Sequence, residues 1–210
     1  AGVLYYLVDG NKVFIGFAAN GAYIAPAGVA VSLTPNPKHF ADISGHWAAD
    51  SIRFVTEREV FLGTRADIFS PNDGMNRAMF ATVIGRLYER SFGDIPLSAS
   101  HDFSDCNYND YYGKYIDWTA QNAIITGYGG GTFAPNDAVT REQMAAILYR
   151  FAAYLDKLPE SNADALHYAD SAAVSSWAKD AALYCQTAAI ISGRDGGTFA
   201  PQATATRAEV

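Results

Sequence analysis

The 210-residue chain carries 15 Lys and Arg against 22 Asp and Glu, a net charge of −7, and half of its residues are hydrophobic. The acidic excess argues against a nucleic-acid binder, which concentrates basic charge, and the apolar content argues against wholesale disorder. No run approaches the ~18 apolar residues of a transmembrane helix, so no membrane insertion is expected.

Residues 1–37 read as a β segment. Val3–Val8 and Val13–Phe17 are β-prone runs flanking Asp9-Gly10-Asn11-Lys12, the pattern of a hairpin about a tight turn. Gly28–Leu33 would add a strand, and Thr34-Pro35-Asn36-Pro37 reads as a linker. An isolated hairpin is marginal in water, so this segment is expected to be the tail of a preceding β domain or to pack on the rest of the chain. The chain opens on Ala1 with no charged n-region before an apolar one, so no signal peptide is expected, and both ends read as cut from a longer protein. Cys106 and Cys185 lie far apart and outside any CxxC spacing, which argues against zinc and favours two small buried or half-buried residues over a bridge.

From Phe40 onward the sequence repeats three times. Each unit opens on aromatic-x-Asp: Phe40-Ala41-Asp42, Phe103-Ser104-Asp105, Tyr168-Ala169-Asp170. A large aromatic follows (Trp47, Tyr111, Trp177), then a glycine 16 residues on (Gly63, Gly127, Gly193), a phenylalanine after 6 (Phe69, Phe133, Phe199), a proline after 2 (Pro71, Pro135, Pro201) and an arginine after 6 (Arg77, Arg141, Arg207). The spacing is identical in all three units, and a period near 65 residues makes each a supersecondary element rather than a domain. The units are assigned to residues 38–98, 99–163 and 164–210, the last truncated where its second helix begins.

One unit predicts helix, glycine loop, helix. In the second, Tyr112, Tyr115, Ile116, Thr119, Ala120 and Ala123 fall at helical spacing, about three turns. The glycine after it suits a left-handed cap. The stretch Gly127–Pro135 is too glycine-rich for a helix or strand interior, and its Phe133 is expected to plug into the core. Thr140-Arg141-Glu142-Gln143 and Thr206-Arg207-Ala208-Glu209 match the capping box, while Asn76 can cap but Met79 cannot return the bond. The second helix would bury Met144, Ile147, Leu148 and Phe151, or Phe80, Val83, Ile84 and Leu87 in the first unit. One such pair cannot bury both apolar faces, so the three units must pack together.

The pattern resembles the S-layer homology family, the cell-wall anchoring modules of bacterial surface proteins. The residues that carry it are the aromatic-x-Asp opening, the Trp, the run Ala123-Ile124-Ile125-Thr126-Gly127-Tyr128-Gly129-Gly130-Gly131-Thr132-Phe133-Ala134-Pro135-Asn136-Asp137 and the Thr-Arg helix starts. The first copy departs most, with Gly63-Thr64-Arg65-Ala66-Asp67 in place of the triple glycine. The resemblance implies a mainly α fold of three repeats in a pseudo-threefold bundle. It also implies non-covalent attachment, outside the cell, to an anionic secondary cell-wall polysaccharide often bearing a pyruvate ketal, in grooves between neighbouring repeats.

Residue chemistry points the same way. An arginine at the first position of a helix meets free N–H groups and the positive end of the dipole, and its fork matches a carboxylate. Arg77, Arg141 and Arg207 are therefore the candidate anion contacts. Trp47, Tyr111 and Trp177 could stack on sugar faces or be core residues. Gly127, Gly129 and Gly130 let a ligand approach the backbone. Asp42, Asp105 and Asp170 either join the site or hold the loop. No nucleophile–base motif appears, so no catalysis, metal or cofactor is expected. The alternatives are a module of lattice self-assembly and the non-catalytic part of a cell-surface glycoside hydrolase.

Overall fold

The computed structural model describes residues 4–9, 12–19, 22–24, 38–96, 100–160 and 163–210. Two units separate, 1–37 and 38–210. In the first, β1 (Leu4–Asp9), β2 (Lys12–Ala19) and β3 (Ala22–Ile24) form an antiparallel sheet in the order β1-β2-β3. Asp9 pairs with Lys12, and Ala19 with Ala22. The strand expected at Gly28–Leu33 and the linker at Thr34–Pro37 lie outside the described residues.

The second unit is mainly helical: α1 (Ala49–Glu57), α2 (Arg77–Phe92), α3 (Gly113–Gln121), α4 (Arg141–Tyr154) and α5 (Lys179–Thr187). The first and second repeats are each a short helix, a loop and a longer helix. In the third, Thr206–Glu209 forms a turn. The longer helices start as the sequence predicts. Asn76 accepts the Met79 N–H at 2.8 Å, and Thr140 and Gln143 complete a capping box.

The short helices are two and a half turns and end differently from the expectation. The left-handed residues after them are Glu59, Ala123 and Ala189, with φ of 56°, 54° and 52°, four positions before the glycines. The glycines serve packing instead. A Cβ on Gly127 would lie 2.4 Å from the Phe103 ring and 2.6 Å from the Thr132 carbonyl, and one on Gly63 would lie 2.5 Å from the Phe40 ring. Ala123 lies beyond α3 and is exposed, and Leu87 is also exposed. Trp118, which the helical pattern passed over, is buried against Tyr88 and Tyr154.

The two sequence marks at the start and middle of each repeat meet in space. Phe69, Phe133 and Phe199 are fully buried, each against the opening aromatic of its own repeat at 5.2–5.7 Å between ring centres. The opening aspartate then clamps the loop. Asp105 accepts the N–H groups of Phe133 and Ala134 at 2.9 and 2.7 Å; Asp42 does so for Phe69 and Ser70, and Asp170 for Phe199 and Ala200. Ser70, Ala134 and Ala200 sit at positive φ, so the clamp holds a backbone turn that non-glycine residues disfavour.

The repeats close into a ring. The Met75 N–H donates to the Ala205 carbonyl (2.8 Å), Ala205 to Val139 (2.9 Å) and Val139 back to Met75 (2.9 Å). Beside each of these links, the first two N–H groups of one repeat's second segment donate to carbonyls of the next. Arg77 and Ala78 bond Asp137 and Pro135; Arg141 and Glu142 bond Ala203 and Pro201; Arg207 and Ala208 bond Asp73 and Pro71. Donors that a helix leaves unpaired at its start are thus satisfied by a neighbouring repeat. Around this hub α3 packs on α2, where Gly85 makes room for the Tyr115 ring, and α5 packs on α4 through Tyr149 and Tyr184. Phe54 on α1 stands exposed where its counterparts Trp118 and Tyr184 are buried.

Candidate functional site

The three repeat arginines follow the ring. Arg77 donates from Nε to the Phe133 carbonyl (2.8 Å) and from Nη2 to Thr126 (2.6 Å). Arg141 does the same to Phe199 (2.7 Å) and Ser192 (2.9 Å), and Arg207 to Phe69 (2.8 Å) and Leu62 (2.8 Å). Each therefore staples the glycine loop of the next repeat, and Arg207 joins the third repeat to the first. The side chains are 6%, 2% and 6% exposed, each with its guanidinium over the plugged phenylalanine. Burial pulls all three below the ordinary arginine value, with nearby acids and tyrosines partly restoring it.

A cavity of about 420 Å³ opens where three repeats meet. Phe61 to Thr64 and Met79, Thr82, Val83 and Arg86 of α2 come from the first repeat, Tyr111 from the second and Arg207 from the third. Two guanidiniums and a half-exposed tyrosine thus face an apolar floor, and the lining contains no carboxylate. Arg207 has no acid within ion-pair distance among the described residues, and neither does Arg77. A smaller cavity of about 160 Å³ lies between Lys38, His39, Gly45 and Arg53.

The other two arginines sit in different surroundings. The Tyr128 ring lies over the Arg77 guanidinium at 4.4 Å. Arg141 donates from Nη1 to Glu209 Oε1 at 2.6 Å, and Arg194 grips the same carboxylate at 2.8 and 2.9 Å. Burial pushes the Glu209 carboxyl up, but the Arg194 hydrogen bonds, the Thr206 N–H and the charge of Arg141 hold it down at about 2.

The remaining candidates separate by position. Trp47, Tyr111 and Trp177 are 74%, 51% and 55% exposed, so each is available at the surface. Only Tyr111 is brought into the cavity with a repeat arginine. Asp42, Asp105 and Asp170 spend both carboxylate oxygens on backbone N–H groups; burial raises these carboxyls, yet the paired hydrogen bonds hold them below the usual range. Gly127 lies against the Phe103 ring, whereas Gly129 and Gly130 have positive φ and open space around them. Cys106 is half-buried and Cys185 buried, both free, and burial pushes the Cys185 thiol up to about 12.

Sequence reasoning missed Arg86, Met79 and Glu209. For Arg86 a signal existed: it follows Arg77 by nine residues, as Arg150 follows Arg141. Nine residues is two and a half turns, a spacing that does not keep two side chains on one helical face. The cavity joins Arg86 to Arg207 of another repeat, not to Arg77.

Among known proteins, a family profile described as the S-layer homology domain matches residues 39–81, 103–145 and 167–210. An amylopullulanase of Thermoanaerobacterium thermosulfurigenes is 33% identical over 82% of this chain and 9% of its own length. The exoglucanase XynX of Acetivibrio thermocellus is 33% identical over 81% of the chain and 15% of its own. An S-layer protein of Bacillus thuringiensis subsp. finitimus is 27% identical over 87% of the chain and 22% of its own. The chain therefore spans less than a quarter of the length of these relatives.

Proposed function

The chain belongs to the S-layer homology domain family, and from that premise we propose that it is a non-catalytic anchor, outside the cell, that holds its parent protein to an anionic cell-wall polysaccharide. The observation that carries this reading is the acid-free cavity bearing Arg86, Arg207 and Tyr111. In a net-acidic protein, such a cavity focuses positive charge where an anion can be desolvated. Guanidinium forks match a carboxylate, and the tyrosine ring offers a face to a sugar.

A pyruvate ketal fits the lining. It puts a carboxylate and a methyl group on one carbon, and the cavity sets guanidiniums beside Leu62, Met79 and Val83. The family's occurrence in S-layer proteins and in polysaccharide-degrading enzymes supports attachment as the shared task, with any catalysis residing elsewhere in the parent protein.

The test is co-sedimentation with purified cell-wall sacculi before and after the non-peptidoglycan polymer is stripped. Binding is expected only before stripping. Arg86→Ala and Tyr111→Ala should each weaken it, by roughly tenfold or more for the arginine, while leaving the urea midpoint in place. Equal binding to stripped sacculi, or full affinity in both variants, would remove the reading.

A further inference from the structure

We propose that the smaller cavity, at the opening of the first repeat, binds a phosphate group through Lys38, His39, Ser44 and Arg53. It shares no lining residue with the cavity of Arg86 and Arg207, so the proposal does not rest on the reading of that one.

The three repeats furnish this place differently. One position is two residues before the opening aromatic: Lys38, His101 or Leu166. The other is the fifth residue of the short helix: Arg53 of α1, Asp117 of α3 or Leu183 of α5. The second repeat shows that the two positions meet, because His101 Nδ1 lies 3.0 Å from Asp117 Oδ2, and the Asp117 carboxylate is buried. In the third repeat both residues are apolar and half-buried. Those pairs need nothing added. The first repeat instead sets two cations at these positions, both lining a cavity of about 160 Å³ with His39 and Ser44.

The lining contains no carboxylate. The side chains of Lys38 and His39 make no ion pair or hydrogen bond among the described residues. The acids of the segment are committed elsewhere. Asp42 gives both oxygens to the Phe69 and Ser70 N–H groups. Asp50, 98% exposed, takes only Nη1 of Arg53, a solvated pair of little strength. The Arg53 Nε and Nη2 groups stay available to a ligand. An arginine fork, an ammonium, an imidazole and a hydroxyl supply donors from several directions, which suits a tetrahedral oxyanion better than a planar carboxylate. Two fixed positive charges also favour a dianion. The ligand would bring to the first repeat the negative charge that Asp117 gives the second from within the chain.

The experiment titrates the full chain with inorganic phosphate at constant ionic strength and about pH 7.5, where the ligand is mostly dianionic. NMR follows the His39 ring and the Arg53 Nε–H, which should shift together along one saturating curve. Lys38→Ala should weaken binding by roughly fivefold or more. Arg53→Asp, which introduces the second repeat's residue type, should abolish the His39 response. The backbone spectrum checks folding, and should Arg53→Asp fail to fold, Arg53→Leu, the third repeat's residue type, carries the test with the same expected loss. Methyl phosphate separates two sources of the group. A matching response to it assigns the site to a phosphoryl group carried on a larger molecule, and a response to inorganic phosphate alone assigns it to the free ion. No shift at His39 and Arg53 with either compound overturns the proposal. So does an equal response to acetate, or a phosphate curve that Lys38→Ala and the Arg53 variants leave unchanged.

Discussion

Replacing Arg207 with alanine removes the side chain that ties the third repeat to the first. Two hydrogen bonds from a charged donor are lost, to the carbonyls of Phe69 and Leu62, and the guanidinium no longer stacks on Phe61 and Phe69. The Phe69 carbonyl is left without its partner beside a fully buried ring. A hydrogen bond to a charged group contributes about 1.5–3 kcal/mol, and part of each is regained as water reaches the opened site, so the expected loss is about 3–5 kcal/mol. Arg207→Lys, with one compact ammonium that reaches one carbonyl, should recover roughly half. Urea unfolding at constant m-value measures both, with Arg86→Ala as a control expected within about 0.5 kcal/mol of the parent. An Arg207→Ala cost below about 1 kcal/mol would refute the view that these arginines are staples of the ring.

Stability should also fall in acid. Glu209 titrates at about 2 in the folded chain against 4.5 ordinarily, so its contribution is fully present above pH 4.5 and is lost as pH drops toward 2. At ~1.4 kcal/mol per unit that is about 3 kcal/mol. Asp42, Asp105 and Asp170 are also depressed and add to the loss in the same direction, so a stability that stays flat from pH 5 to 2 would contradict their clamps. Gly127→Ala should cost about 1–3 kcal/mol in a denaturant titration because its Cβ meets the Phe103 ring and a backbone carbonyl. Gly130→Ala, at φ 60° with nothing within 4 Å, should cost about 1 kcal/mol from backbone strain alone.

Side-chain patterns carried much of this fold. The plugged phenylalanines, the Thr140 capping box and the half-box at Asn76 are properties of residue type at fixed spacing, and they stand where the spacing put them. What spacing does not encode is a partner made of backbone. Arg77, Arg141 and Arg207 bond carbonyls of the next repeat, and a carbonyl has no residue signature, so three buried staples read as three anion contacts. The same holds for the left-handed turns at Ser70, Ala134 and Ala200, non-glycine residues that the aspartate clamps hold there. The glycines that read as helix caps are fixed by the opening aromatic ring of their own repeat far upstream, as Phe103 fixes Gly127. The groove needed three repeats at once: Arg86, Tyr111 and Arg207 share a cavity only after the ring closes.

Charge recognition in that cavity is open to a direct measurement. Calorimetric titration of the protein with a ketal-bearing methyl glycoside, and with the methyl ester of the same compound, separates charge from shape. The acid should bind, and the ester, which keeps the ring and the ketal methyl but not the carboxylate, should bind roughly tenfold to a hundredfold more weakly. Equal affinity for the two compounds would contradict the guanidinium groove.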